Sequence, residues 1–421
     1  MVQSREVVIT GAGVVSPIGI GLEAFWTALV ECRSGVRPLT MDDECSLSVA
    51  FGGRVTDFDP KQYVKPRKSL KIMCREIQTG FAAAGLAMDD AALPAGAVEP
   101  ERMGVVFGSE MLYGDIAELR DAYSGCIVDG KFDFDLWGKQ AMNNLYPLWM
   151  LKYLPNMPAC HIGIAHDARG PNNSIALAEV SSLLAVSEAA SVIGRGMADV
   201  MIAGGTGSRL SMTGLVWRSD YNLSHRTLDS ASASRPFDAS RDGMVNGEGA
   251  GAFVMESRQH ALARGARVWA RVLGWGSAFE PRRNGRLGQG AAIGAAITVA
   301  LRSAGLQADD VGHVNAHGLS TREDDPVEAR AIREALGDVP VTAPKSFFGN
   351  LGAGGGAVEM AASVLSLADG RVPVTLNYQE PDSNCPINVI RDRPHQTDKH
   401  IAVVLNQTRT GQAVAVVIAG A

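Results

Sequence analysis

The feature that most constrains the fold of this chain is a repeated switch between two sequence textures. Short runs rich in β-branched or small apolar residues occur at Val7–Thr10, Val105–Phe107, Val200–Ala203, Ala252–Met255, Val268–Trp275, Val372–Leu376, Ile401–Leu405 and Ala413–Ile418. Longer, alanine-rich stretches of helical character separate them. Such alternation predicts an α/β protein whose sheets are covered by helices. No low-complexity linker interrupts it. The charged stretch Glu256–Arg267 follows a strand-like run and marks a boundary between an N-terminal half, 1–257, and a C-terminal half, 258–421. A short echo joins the halves: Glu-Ala-Ala-Ser-Val at Glu188–Val192 and Met-Ala-Ala-Ser-Val at Met360–Val364. Five residues can match by chance, so the echo is compatible with two related halves without requiring them.

Composition narrows the function classes. With 421 residues, 46% of them hydrophobic, the chain can bury a large core, and its length suggests two or three domains. The net charge of −6 argues against a nucleic-acid binder. The six cysteines, Cys32, Cys45, Cys74, Cys126, Cys160 and Cys385, show no CxxC spacing. They read as reduced thiols rather than disulfides or metal ligands. The chain opens Met-Val-Gln-Ser-Arg and enters a strand at once, so no signal peptide is expected. No apolar run reaches the roughly 18 residues of a membrane span, and the expected compartment is the cytoplasm. Gly11-Ala12-Gly13 has Ser16 where a dinucleotide fingerprint has its third glycine, and Gly352–Gly356 lacks the Lys-Ser/Thr of a phosphate loop. Both stretches read as sites of tight helix–sheet packing.

The most informative single position is Glu179. Residues 170–185 read Gly-Pro-Asn-Asn-Ser-Ile-Ala-Leu-Ala-Glu-Val-Ser-Ser-Leu-Leu-Ala, a short strand over Ser174–Ala178 breaking into a helix that runs to about Gly194. A strand-to-helix elbow is a common place for a nucleophile, because the helix N-terminus offers free N–H donors and positive dipole.

This elbow resembles the active-site elbow of the β-ketoacyl-acyl-carrier-protein synthases, whose Gly-Pro-x-x-Ser-Ile-x-x-Ala run is followed by the catalytic cysteine. Further stretches carry the same resemblance: Glu6–Gly19, Ala198–Gly205, Arg235–Gly251, Asn315–Ser320 and Lys345–Glu359. The resemblance implies the thiolase fold, two βαβ-rich halves in a layered α-β-α-β-α arrangement, with residues 109–165 inserted as a cap over the entrance. That section is rich in aromatics and methionines. Met111 and Tyr113 are candidates to line an acyl tunnel, and an insertion core or a dimer contact is an equal alternative.

The resemblance also implies a catalytic set. Glu179 stands where the acyl-accepting cysteine is expected, and a carboxylate cannot hold an acyl chain as a thioester. His317, in Asn-Ala-His-Gly, matches the first catalytic histidine. Asn350 falls at the second, and its amide could still donate to a developing enolate. Lys345 and Glu359 match two charged positions that organise the pocket, Glu359 reading as a structural partner. The family's Asn-Ser-Phe-Gly-Phe-Gly-Gly tail is Asn406–Gln412 here, with Thr410 at the gate position and its backbone N–H still available to an oxyanion. Arg409 could pair with Glu179 or face solvent. At a helix N-terminus an ionised Glu179 gains roughly 0.3–2 kcal/mol, whereas burial favours the acid; the donors are expected to win. No metal or cofactor is implied, since acyl substrates arrive on the phosphopantetheine of a carrier protein.

Lys65, Arg67, Lys68, Lys71 and Arg75 form a basic cluster in an acidic chain, read as the docking face for acyl carrier protein or, alternatively, as a solvated helix face. The spacings of Lys68, Lys71 and Arg75 predict one helical stripe. Three readings of function follow. Loss of the cysteine, one histidine and the aromatic gate favours a non-condensing partner subunit similar to chain-length factors, in a homodimer or paired with a ketosynthase paralogue. Retention of His317 and a donor at Asn350 favours a malonyl-carrier-protein decarboxylase. Glu179 acting as a base on another acyl thioester is a third. An ordinary synthase with its nucleophile elsewhere is a further alternative, although Cys160, nineteen residues upstream, precedes the Gly-Pro turn.

Overall fold

The computed structural model describes residues 5–39, 51–94, 96–110, 114–217, 222–281 and 288–421. The main strands are β1 (Val7–Ser16), β2 (Met103–Ser109), β3 (Asn172–Ala176), β4 (Val200–Ser208), β5 (Glu248–Ser257), β6 (Ala270–Phe279), β7 (His313–Asn315), β8 (Pro340–Thr342), β9 (Asn388–Val389), β10 (Ile401–Gln407) and β11 (Gln412–Gly420). The principal helices are α1 (Arg75–Asp90), α2 (Ile116–Ser124), α3 (Trp137–Asn144), α4 (Met157–Ala165), α5 (Ser181–Gly194), α6 (Ala291–Ala304), α7 (Asp324–Leu336) and α8 (Gly355–Asp369).

The strands follow the order β9-β8-β7-β10-β11-β6-β1-β5-β4-β2-β3. This path contains one five-strand pattern twice. In the first half β1 and β5 are antiparallel, β5 and β4 antiparallel, and β4, β2 and β3 mutually parallel. In the second half β6, β11, β10, β7 and β8 repeat those relations in the same sequence order. The halves join where β1 meets β6, through the pairs Val7↔Val272, Val8↔Arg271 and Ile9↔Ala270. Parallel neighbours require long crossovers, which the helices supply.

Helix α1 packs on β1, β5 and β4, and α6 packs on β6 and β11, so these helices lie outside the sheets. Helices α5 and α8 touch each other and strands from both halves of the sheet, forming the middle of an α-β-α-β-α stack. Their sequences explain the placement. Both are buried over most of their length, α8 from Gly355 through Leu367, and the polar side chains that α8 carries on one face, Glu359, Ser363 and Ser366, are hydrogen-bonded inside the protein. The echo motifs lie in these two helices. Gly13 shows how closely α1 approaches β1: a Cβ there would stand 2.1 Å from the Ala83 carbonyl oxygen.

One expected strand is shortened, and the charged stretch that closes the first half is anchored by a buried carboxylate. The run Val372–Leu376 is a strand only at Arg371–Val372, because Pro373 has no N–H to continue a ladder. The charged stretch after β5 is tied into the fold: fully buried Glu256 accepts from Thr10, from Arg264 and from His260 Nδ1 at 2.5 Å. The section between β2 and β3 holds α2, α3, α4 and a small hairpin. Its Tyr123 ring lies 4.9 Å from that of Trp137, and Trp149 lies 5.3 Å from Tyr153. Phe134, Met142 and Met150 are exposed at 75%, 85% and 62%. Met111 and Tyr113 lie outside the described residues. Among the described residues no helix is long and apolar enough to cross a membrane.

Candidate active site

In each half three parallel strands end side by side, and the candidate residues follow their carboxyl ends, where α/β sheets place their sites. After β3 the chain turns through Ala178, whose φ of 49° is left-handed. It then forms a short 3-10 turn, Ala178–Val180, before α5 begins. A non-glycine residue held at positive φ is strained, and here it aims the Glu179 side chain inward at 3% exposure. The hydroxyl of Ser181 braces the bend, accepting from the Leu177 N–H at 2.8 Å and donating to the Ala178 carbonyl at 2.7 Å.

The sequence reading sets the elbow carboxylate near backbone donors and leaves Arg409 either pairing with it or facing solvent. Oε1 receives two further side chains: Arg209 Nη2 at 2.6 Å and Asn350 Nδ2 at 3.2 Å. Arg209 follows β4, its side chain wholly buried, and the same Nη2 lies 3.6 Å from Oε2 of Glu110, which follows β2. Glu110, Arg209 and Glu179 thus come from the ends of three neighbouring strands. A buried guanidinium at ion-pair distance favours the charged form of the Glu179 carboxylate, against its burial. Sequence reasoning missed Arg209 and Glu110. The available signal was a charged residue closing each of two otherwise uncharged, glycine-containing strands.

The second half supplies the remaining groups. His317, two residues past β7, is fully buried. Glu328 accepts the backbone N–H groups of His317 and Gly318 at 2.6 and 2.8 Å, which fixes this turn. Lys345 Nζ lies 3.1 Å from His317 Nδ1 and 2.6 Å from Glu359 Oε1, and Asn406 Nδ2 donates to Glu359 Oε2 at 2.7 Å. Burial first, then the charges of Lys345 and Arg209, push the His317 imidazole well below its usual range, so it is neutral at pH 7. An ammonium only donates, so Nδ1 is the acceptor and the ring proton sits on Nε2. Nε2 meets no acceptor among the described residues. The arrangement therefore presents a neutral N–H donor toward the site. Asn350 spends its amide differently: Nδ2 also faces Met244 Sδ at 3.1 Å, and Oδ1 accepts from the Gly352 N–H at 3.0 Å.

Thr410 lies in the exposed turn between β10 and β11, its hydroxyl 2.8 Å from that of Thr408; Arg409 beside it is half-buried. The basic cluster also divides. Lys65, Arg67, Lys68 and Lys71 are exposed around the 3-10 turn Arg67–Ile72, in which Lys68 and Lys71 eclipse each other. Arg75 opens α1 and turns inward, its Nη2 donating to the Val55 carbonyl at 2.6 Å and to Glu248 Oε1 at 3.0 Å. The single stripe of three cations is therefore absent, because the helix begins only after Cys74.

A twofold-repeated layered sheet with a buried His-Lys-Glu network and an elbow at the head of a central helix defines a thiolase-like fold. The sequence profiles of the beta-ketoacyl synthase N-terminal and C-terminal domains match residues 4–261 and 269–379, and the chain belongs to that family. It is 34% identical over 408 residues to 3-oxoacyl-[acyl-carrier-protein] synthase 2 of Vibrio harveyi, covering 95% of this chain and 94% of the relative. Among solved structures, the ishigamide ketosynthase/chain length factor superposes with a TM-score of 0.86 at 27% identity, covering 99% of this chain and 100% of that one. A type II PKS acyl-carrier protein in complex with its ketosynthase bound to the hexaketide gives the same TM-score and identity, covering 100% of both chains.

Proposed function

We propose that this chain is a non-condensing subunit of the beta-ketoacyl synthase family, a partner to an active ketosynthase in the manner of a chain length factor. The observation that carries this reading is the state of the elbow. Glu179 stands where the sequence pattern calls for the acyl-accepting cysteine, and it is buried in an ion pair with Arg209 at 2.6 Å. Acyl transfer needs an unencumbered nucleophile that can be loaded and unloaded. A carboxylate neutralised by a buried guanidinium is a poor nucleophile, and its product would be an anhydride. The ketosynthase/chain length factor among the structural neighbours supports the pairing. The neighbour that carries an acyl-carrier protein supports docking of such a protein on the exposed cations Lys65, Arg67, Lys68 and Lys71. Acyl groups would arrive on that protein's phosphopantetheine, with no bound cofactor in the chain itself.

Malonyl decarboxylation is the second reading, favoured by the neutral His317 Nε2–H donor. Two features weigh against it: the Asn350 amide is already engaged with Glu179, and the Glu179 anion repels a malonyl carboxylate. One assay separates the readings. Incubated with acyl- and malonyl-loaded carrier protein, the purified chain is expected to keep its unmodified intact mass and to release carbon dioxide at the background rate, with or without His317→Ala. An acyl adduct on the wild-type chain overturns the proposal. Carbon dioxide release that falls about 100-fold in His317→Ala establishes the decarboxylase instead.

A further inference from the structure

The far edge of the sheet carries a cavity that the elbow does not use. Among the described residues β9 closes the strand path at the end opposite β3, and its Asn388 pairs with Pro340, which opens β8. Lys345, at the site, lies beyond the other end of β8. A cavity of about 560 Å³ lies beside β9, with Val389, Ile390, Arg391, Arg393 and His395 in its walls. That volume is in the range of small-molecule sites, roughly 300–1,000 Å³.

The charge of this cavity runs against that of the chain. The protein carries a net −6, yet no carboxylate lines the cavity, and its charged or titratable walls are Arg391, Arg393 and His395. Asp392 stands between the two arginines in sequence but is not part of the lining. Its φ of 62° is left-handed, and its side chain is 84% exposed. Its approach to Arg391 Nε, at 3.6 Å, is a solvent-exposed pair that an incoming anion can replace. The Arg393 guanidinium meets no carboxylate among the described residues.

The loop that carries the arginines is fixed at both ends. Ile390 donates its N–H to the Val341 carbonyl and accepts the Thr375 N–H at its own carbonyl, both at 2.8 Å. After the loop, His395 and Gln396 pair antiparallel with Val372 and Arg371. Pro394 fixes one further torsion. Such anchoring lowers the ordering cost of binding. Guanidinium groups match phosphate oxygens in planar, bidentate contacts. Two of them beside an imidazole suit a group with close to two negative charges and three acceptor oxygens better than a single carboxylate. Val389 and Ile390, 8% and 7% exposed, add an apolar wall.

We propose that the cavity beside β9 is a binding site for a phosphate-class anion, a phosphate or diphosphate either free or esterified to a small organic body, held by Arg391, Arg393 and His395. Binding is reversible and involves no covalent step. The site stands apart from the elbow and does not depend on the non-condensing reading.

The test is calorimetric titration of the purified full chain with inorganic pyrophosphate, without divalent cations. Saturable binding is expected at low ionic strength, with a dissociation constant of about 1 mM or below that weakens as salt is added. Arg391→Ala with Arg393→Ala is expected to weaken it about tenfold or more. Both side chains are exposed, so thermal unfolding of this variant is expected to match wild type. Should it not, Arg391→Gln with Arg393→Gln keeps the side-chain length and removes the charge. Arg169→Ala with Arg195→Ala, which removes two exposed arginines elsewhere, is expected to leave the affinity within about twofold. ADP separates the two sources: binding about threefold or more tighter than pyrophosphate assigns an esterified diphosphate that uses the apolar wall, and anything weaker assigns the free anion. No saturable binding of either pyrophosphate or ADP overturns the proposal. So does equal weakening in the two arginine pairs, which is the mark of diffuse surface charge.

Discussion

At the scale of single residues, the site is governed by a charge balance that one substitution can upset. Arg209 is among the largest fully buried side chains, and a guanidinium cannot shed its proton to escape burial. Its tolerance inside the protein depends on the carboxylates of Glu179 and Glu110, 2.6 and 3.6 Å away. Glu179→Gln keeps the shape of the elbow and the acceptor for Asn350, but removes the nearer charge. Breaking a buried pair from one side typically costs 3–5 kcal/mol. Because Glu110 stays in place, a loss of about 3 kcal/mol is expected, read as a lower denaturant midpoint with an unchanged slope. A stability within about 0.5 kcal/mol of wild type would show that the pair is energetically idle.

At the scale of elements, the sequence texture reveals strands and middle helices well, and interactions between strand ends poorly. Val105–Phe107 and Val200–Ala203 fall within β2 and β4, since β-branched runs flanked by glycine have few other fates. The elbow was legible because Gly170-Pro171 and the small-residue run after it fix a strand followed by a helix. His317, Lys345 and Glu359 also meet as the motif order implied. The Glu110–Arg209–Glu179 contact was not legible, because it joins three segments with no common period; only the parallel order β4-β2-β3 brings them together. The basic stripe failed for a local reason: a 3-10 turn and a separate helix start replace one continuous helix. The glycines of β1 are packing devices, and the structure gives that role a measurable form. In Gly13→Ala the new Cβ meets the Ala83 carbonyl at 2.1 Å and the Ala87 nitrogen at 2.6 Å, both backbone atoms. Helix α1 must then shift as a body, at about 1–3 kcal/mol, the usual range for overpacking. Thermal unfolding is the measurement, and a midpoint equal to wild type would mean that α1 floats on the sheet rather than fixing it.

At the scale of the whole molecule, the surface that the fold leaves uncovered argues for a second chain. Among the described residues β3 ends the sheet, and its residues run exposed, exposed, half-buried, half-buried, exposed over Asn172–Ala176. An open edge strand of this kind offers unpaired N–H and C=O groups to another strand, and proteins seldom leave one bare. The section leading into it carries Phe134, Met142 and Met150 at 75%, 85% and 62% exposure. A stable interface needs roughly 800 Å² per partner, and these side chains are the apolar surface expected to contribute to it. A strand pairing edge to edge through a twofold axis is self-complementary, so the expected partner is this chain or one built on the same fold. Sedimentation at micromolar concentration is therefore expected to show a dimer, alone or after mixing with an active ketosynthase of the same pathway. The double variant Phe134→Asp and Met142→Asp, two exposed positions that leave the core untouched, is expected to shift that equilibrium toward monomer while preserving thermal unfolding of the single chain. A wild-type chain that sediments as a monomer both alone and in the mixture would refute the paired arrangement, and with it the reading of this chain as a subunit that works through a partner's nucleophile.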